Sequence, residues 1–167
     1  MPGSNIVAAF NFNNVIVSLG PVRLGNFGED GGVTFEYPSE AVNHKVSADG
    51  RVTVSKMNDD RMIATVTLMQ TSPSNAAMWG SWRAQEAAFA QGLPIPGLPF
   101  NVANIRTGDT VNAGQAIILQ PPAPDQGQEA GEYEWQILLP YAKRSLVLGI
   151  LNGIPGPSSV QGVTSLP

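Results

Sequence analysis

The sequence contains no cysteine, a single histidine and few charged side chains. Without cysteine, disulfides, thiolate nucleophiles and zinc–cysteine sites are excluded. With His44 as the only histidine, one chain cannot assemble a Ser-His-Asp triad or a two-histidine metal site. Charged residues make up 13% of the chain, roughly half of the share in an ordinary soluble domain. This composition favours a chain that covers several of its faces with other subunits.

Basic residues are also scarce, with nine Lys and Arg against thirteen Asp and Glu and a formal net charge of −4. A protein that grips nucleic acid presents a basic stripe to the phosphates, so tight nucleic-acid binding is disfavoured. A mildly acidic wall would instead repel DNA and let it slide. Apolar runs fall far short of the roughly 20 residues that span a membrane, and no signal peptide or membrane-spanning segment is expected.

Sequence motifs of catalysis and cofactor binding are missing as well. No G-x-S-x-G, phosphate-binding loop, dinucleotide fingerprint or EF-hand spacing occurs, and neither a cofactor nor a metal is expected. A hydrolase remains an alternative, and it would need a cleft with two acidic groups at roughly 5 to 10 Å. Turn chemistry explains the acidic candidates, which lie at predicted turns: Asp49, Asp59, Asp60, Asp109 and Asp125.

What the sequence does contain is β-strand alternation. Residues 51–57, a break at 58–60 and residues 61–70 predict one long hairpin with an apolar face and a hydroxyl-rich face. Further strands are predicted at 14–19, 33–37, 132–139 and 144–151, and a second hairpin at 100–106 and 110–120. The hydroxyl-bearing residues of the first hairpin are Thr53, Ser55, Thr65 and Thr67, and its apolar residues are Val52, Val54, Ala64, Val66 and Leu68.

One helix is predicted over residues 76–91, after a cap at Ser72 and Pro73 in the first turn. Trp79, Trp82 and Phe89 recur at helical spacing, and we expect this stripe to pack on the apolar face of the first hairpin. The stripe could also stack bases or sugars, but no Lys or Arg is interleaved with it.

The pattern predicts a single, mainly β domain over residues 1–167 with one helix. Residues 93–99 contain three prolines and are expected to cross over between elements. Extended loops are predicted at 20–32, 38–45 and 121–131, and a tail rich in Gly, Pro and Ser begins at about residue 152.

Residues 46–75 carry a specific resemblance. The run reads VSADGRVTVSKMNDDRMIATVTLMQTSPSN, with an A-D-G-R-V turn into a strand, a T-V-T-L strand and a Q-T-S-P-S-N helix start. This run resembles the tail tube proteins of long-tailed bacteriophages, with the contractile-tailed phages favoured. The order of elements is similar through about residue 151, whereas the tail beyond residue 153 matches nothing in that family.

The resemblance implies a β-sandwich or partial barrel with one flanking helix. It also implies a virion protein without enzymatic activity, assembled in the host cytoplasm as stacked six-membered rings around a bore that conducts DNA. Long hairpins of neighbouring subunits would close an inner barrel, and the loops would join the rings. Implied partners are copies of itself and sheath, tape measure, baseplate and tail terminator proteins. Whether Thr53, Ser55, Thr65 and Thr67 line the bore or an ordinary solvated face stays open.

The main alternative is a β-sandwich module that binds carbohydrate through displayed aromatic side chains. Such a module would expose its tryptophans and would not assemble with itself. A tube subunit would bury its tryptophans and would assemble with itself.

Overall fold

Ten β-strands and one α-helix make up the described part of the chain, which in this computed structural model comprises residues 12–29, 32–124, 126, 127 and 129–146. A short 3₁₀ turn at Phe12–Asn14 precedes the first strand. The elements are β1 (Val15–Leu19), β2 (Val22–Leu24), β3 (Val33–Glu36), β4 (Val42–Val46), β5 (Val52–Lys56), β6 (Met62–Met69), α1 (Ser74–Ala90), β7 (Leu98–Asn104), β8 (Thr110–Gln120), β9 (Glu132–Leu139) and β10 (Ala142–Ser145).

Eight of these strands form one antiparallel sheet in the order β2-β1-β7-β8-β9-β6-β3, with β10 also paired to β8. Strand β8 belongs to both halves of the sheet. Its first half pairs with β7 and β10, and its second half pairs with β9. The sheet does not close into a barrel, because β2 and β3 end the path as open edges. The predicted mainly β partial barrel with one flanking helix is confirmed.

The two halves of the sheet share one hydrophobic core. Along β6 every second residue is buried, as period-two alternation requires of a strand with one covered face. Burying such side chains stabilises the fold by about 1.5–3 kcal/mol each. The core residues of the first half include Val17, Leu19, Leu24, Phe100 and Val102, and those of the second half include Met62, Ala64, Val66, Leu68, Trp135, Ile137 and Leu139.

Strand β7 does not pair with the last residues of β8, and helix α1 lies beside them instead. Gln85 is buried, and its Oε1 accepts a hydrogen bond of 3.2 Å from the backbone N–H of Ile118. At the start of the helix, the indole N–H of Trp135 donates to Oδ1 of Asn75 at 3.1 Å. The helix therefore continues the hydrogen bonding of the sheet with side-chain amides.

The buried face of α1 differs from the predicted aromatic stripe. Met78 is fully buried, and Trp79 and Trp82 are half-buried against the core, with the ring of Trp79 edge-on to Trp135 at 5.1 Å. Phe89 is 62% exposed, so its predicted place in the core is wrong. Sequence patterning missed the buried face because two of its members, Asn75 and Gln85, are polar.

The long hairpin exists, but its strands are not the predicted pair. Strands β5 and β6 follow one another on the same side of the hairpin, and they pair with β4 and β3 respectively. The chain reverses at Gly50, whose φ of 81° favours glycine, and the N–H of Gly50 donates to the carbonyl of Ser47. The predicted break at 58–60 is an irregularity between β5 and β6. The six residues 57–62 there lie opposite only five, 37–41, on the other side of the hairpin.

Other strand predictions hold with small shifts. The hairpin of β7 and β8 and the strand β9 are confirmed, and the predicted helix is observed as Ser74–Ala90. Two predicted loops contain strands, since β2 falls within 20–32 and β4 reaches into 38–45. The last strand is β10, and the remainder of the predicted 144–151 strand beyond residue 146 and the tail from residue 152 lie outside the described residues.

Replacing Gln85 with Ala tests the closure of the sheet by the helix. We expect Gln85→Ala to lower the free energy of unfolding by about 1–3 kcal/mol, because the buried N–H of Ile118 loses its acceptor. Urea denaturation measures the change. Glu86→Ala, at an exposed helix position, is the matched control. Equal stability of the two variants would contradict this role of Gln85.

Candidate assembly surfaces

Strands β4 and β5 form a two-stranded ribbon that stands apart from the main sheet, and we name residues 42–56 the arm. Every strand residue of the arm is exposed. Cross-strand partners lie on the same face, so the register assigns each side chain to one of two faces. The valine face carries Val42, His44, Val46, Val52, Val54 and Lys56, and the polar face carries Asn43, Lys45, Thr53 and Ser55.

The four valines of the arm are between 48% and 63% exposed. Val52 and Val54 were predicted to pack beneath the helix, and that prediction is wrong because β5 pairs with β4 instead of entering the main sheet. An isolated two-stranded ribbon is marginally stable in water at best. The valine face is therefore a surface that requires cover.

The base of the arm is clamped by one carboxylate. Asp59 accepts a hydrogen bond from the hydroxyl of Ser39 at 2.5 Å and two from the guanidinium of Arg61, at 2.7 and 2.6 Å. The hydrogen bonds from Arg61, followed by that from Ser39, hold the pKa of Asp59 far below its ordinary value. Beside this clamp the N–H of Met57 donates to the carbonyl of Ala41. The clamp ties the strand entering the arm to the strand leaving it.

Two other predicted turn aspartates also bond within their turns, and Asp125 lies outside the described residues. Asp49 accepts hydrogen bonds from the hydroxyl of Ser47 and the N–H of Arg51, which lower its pKa. Asp109 accepts a hydrogen bond from the hydroxyl of Thr107 at 2.9 Å. These contacts account for both carboxylates as turn residues. Among the described residues, no cluster of His, Cys, Asp or Glu could hold a metal ion.

Thr65 and Thr67 lie on the outer face of the half-sheet β3-β6-β9. Thr65 is opposite Thr34 and Gln136, and Thr67 is opposite Glu134. Glu36 and Glu132 lie on the same face by the same register. We name this surface the acidic face, because the described strand residues on it include carboxylates, amide and hydroxyls but no Lys or Arg.

The outer face of the other half-sheet has the opposite character. One row of directly paired residues crosses five strands, and we name it the amide row. The strand residues in register beside it, among those described, include no Asp or Glu. The amide row consists of Arg23, Ser18, Asn101, Asn112 and Lys143.

The four predicted bore residues thus lie on two separate elements. Thr53 and Ser55 are on the polar face of the arm, whereas Thr65 and Thr67 are on the acidic face. Ala64, Val66 and Leu68 are fully buried beneath the acidic face. Sequence reasoning missed Glu134 and Gln136 as neighbours of the threonines, because only the register of β9 with β6 brings them together.

Two of the grooves between the elements lie next to the arm and the helix. One, of about 350 Å³, lies beside the base of the arm and includes Asp109 and Arg144 in its lining. The other, of about 410 Å³, runs between α1 and β2 and has no ionisable residue in its lining, and we name it the helix groove. The residues of the helix groove are Leu19, Pro21, Val22, Leu24, Ala77, Gly80, Ser81, Ala84, Pro96 and Leu98.

Solved structures with the same fold are tube components. The chain is similar to the sheath/tube terminator of an extracellular contractile injection system, PVC, in its extended state, with a TM-score of 0.57, 13% identity and coverage of 84% of this chain and 99% of that one. For a subunit of the PVC sheath-tube complex, the TM-score is 0.57 and the identity 12%, with coverage of 85% of this chain and 95% of that one. For the tube terminating cap of the anti-feeding prophage, the TM-score is 0.55 and the identity 14%, with coverage of 87% of this chain and 99% of that one. At this level of identity the likenesses show the fold alone, which the chain shares with components of contractile injection systems.

The family follows from the sequence itself. The family model described as bacteriophage PhiTE tail tube protein matches residues 9–146. The chain belongs to this tail tube family, and it is a structural component of a phage tail. No curated protein matches the chain. No helix in the described ranges is long and apolar enough to cross a membrane.

Asp59→Asn tests the clamp at the base of the arm. We expect faster amide hydrogen exchange in residues 42–56, with the exchange of β6 and β9 unchanged, because the amide bonds Arg61 and Ser39 more weakly. Asp60→Asn is the control. Because the pKa of Asp59 is lowered on folding, the clamp is complete above the ordinary aspartate pKa and is lost only as the pH falls through the lowered value. Unchanged exchange in the arm of Asp59→Asn would contradict the clamp.

Proposed function

We propose that this chain, acting as one domain over residues 1–167, is the building block of a hollow tail tube through which phage DNA passes. Six copies form a ring, and rings stack into the tube. The observation that carries the proposal is the arm, a clamped and exposed ribbon whose valine face only another surface can cover. Membership of the tail tube family supplies the class of assembly in which such cover arises.

The bore is lined by the acidic face in this proposal. Carboxylates repel the phosphates of DNA, and threonine hydroxyls keep the wall wettable without fixed cations that would hold the phosphates. Thr65 and Thr67 therefore face the DNA beside Glu134. Thr53 and Ser55, the other two predicted bore residues, lie on the polar face of the arm together with Lys45, and this proposal leaves that face out of the lining.

The proposed partners follow from a tube of this kind. Copies of the chain contact each other within and between rings, and sheath, tape measure, baseplate and tail terminator proteins contact the outside, the bore and the ends. Assembly takes place in the host cytoplasm before the tail joins the virion. The chain has a structural role, without catalysis or a cofactor.

A carbohydrate-binding module receives less support from the tryptophans. Trp135 is fully buried, and its indole N–H is bonded to Asn75. Trp79 and Trp82 are half-buried against the core. In the described part of the chain, no tryptophan is displayed as a flat binding platform.

Negative-stain electron microscopy of the purified chain at rising concentration tests the proposal. We expect rings or tubes with a central hole. The triple variant Val46→Thr, Val52→Thr and Val54→Thr should stay folded but remain monomeric, because it removes the apolar face and keeps β-branched side chains. The pair Thr53→Ser and Ser55→Thr on the polar face is the control and should assemble. A wild-type chain that stays monomeric at all concentrations would refute the proposal.

Lysines on the acidic face test which surface lines the bore. We expect assembled Thr65→Lys/Thr67→Lys tubes to retain nuclease-resistant DNA that wild-type tubes release, because the added cations neutralise phosphates. Retention should fall as salt is raised, as counterion release requires. Asn101→Lys/Asn112→Lys adds the same charge to the amide row and should retain no protected DNA. The reverse result would assign the bore to the amide row.

A further inference from the structure

The arm and the helix groove lie at opposite ends of strand β6. The arm joins β6 at its first residue, Met62, through residues 57–61. At the other end, the hydroxyl of Ser72 donates to the carbonyl of Gly25 at 2.7 Å, which fixes the neighbouring Leu24 of the helix groove beside the helix start. Eight residues of strand span about 23 Å. A copy therefore presents its arm at one end and its groove at the other.

The helix groove matches the valine face in polarity. None of its lining residues is ionisable, so docking would desolvate no charge of the groove. On the valine face, Val46 and Val52 lie at the tip of the arm, whereas Lys56 lies at its base and stays outside the groove. The flank of α1 that forms one wall carries only Ala77, Gly80, Ser81 and Ala84, so no long side chain stands in the groove. The opposite wall includes Val22 and Leu24 of β2, an open edge of the sheet.

We propose that the valine face of the arm in one copy docks into the helix groove of a second copy stacked on its end. This inference rests on the proposed function and names the surface that receives the arm. A strand of the arm lies along β2, whose edge backbone groups are available for pairing, as in strand addition to an exposed sheet edge. The valines then cover the apolar wall between β2 and α1.

Docking joins the polar face of the arm to the amide row, and the two surfaces have the same kind of charge. With its valines turned into the groove, the arm turns Asn43, Lys45, Thr53 and Ser55 outward beside Arg23 and Ser18 of the amide row. Neither set contains a carboxylate. The other groove fits less well, because Asp109 and Arg144 in its lining would be desolvated by valine side chains.

The second copy, and not the same chain, supplies the groove. The clamp at Asp59 holds the base of the arm, and the arm continues the β3–β6 hairpin away from the end where the groove lies. Arm and groove are different patches, so the contact is heterologous and each copy can bind one neighbour above and one below. Such head-to-tail contacts that do not close on themselves propagate into a filament.

Disulfide crosslinking tests this contact. Because the chain contains no cysteine, only the introduced cysteines can form a disulfide. Two single variants, Val54→Cys and Ala84→Cys, are mixed under assembly conditions and oxidised. We expect a dimer that joins one chain of each kind, in about tenfold excess over the product of Thr53→Cys with Ala84→Cys, because a disulfide requires Cβ atoms about 4 Å apart. Mass spectrometry of the digested dimer identifies the joined residues.

Two crosslinking results would overturn the docking. One is equal yield from Val54→Cys and Thr53→Cys, and the other is preferential joining of Val54→Cys to a cysteine at Thr110 in the charged groove. Either result in preparations that show rings with a central hole would leave the proposed function standing. Absence of any assembly from the wild-type chain would remove the proposed function as well.

A second variant pair gives an independent readout. Ala84→Arg places a long charged side chain in the helix groove, and Ala90→Arg places the same side chain at an exposed helix position outside the groove lining. We expect Ala84→Arg to fold with the wild-type melting temperature and to abolish tubes while rings remain. Ala90→Arg should form tubes. Tubes of normal length from folded Ala84→Arg would overturn the docking.

Discussion

An apolar face on a two-stranded ribbon cannot be buried from within the ribbon, because the two strands form a single layer. The arm carries four valines on such a face, and in the described subunit no other element covers them. Exposed apolar area of this kind favours association, with about 25 cal/mol for each Å² removed from water. In the proposed assembly, every other surface of the molecule either receives the arm or is left facing solvent and DNA.

The subunit consists of a packed body and an exposed arm. A shared core joins both halves of the sheet, and Gln85 and Asn75 tie the helix to that core with side-chain hydrogen bonds. The arm leaves this body through a clamp made by Asp59, Arg61 and Ser39, which couples its position to the body without covering it. Both strands of the arm therefore stay exposed beyond the clamp.

Charge is distributed between the faces in a way that suits a conduit. The acidic face and the amide row lie on the outer surfaces of the two half-sheets, and the first has no cation while the second has no carboxylate among the described strand residues. In the proposed tube, only the surface that faces DNA must avoid holding phosphates.

The sequence by itself determined most of the strands, the helix, the β7–β8 hairpin and the tail tube family, because alternation, a run of helix-forming residues and the run at 46–75 are local signals. Only the tertiary structure decided which strands pair. Alternation in β5 and β6 is the same whichever partner they take, so the assignment of Val52 and Val54 to the core was wrong. For the same reason the sequence did not reveal that Gln85 is buried, where it accepts a hydrogen bond from the N–H of Ile118. It did not place Glu134 beside Thr67 either, because register depends on residues far apart in the chain.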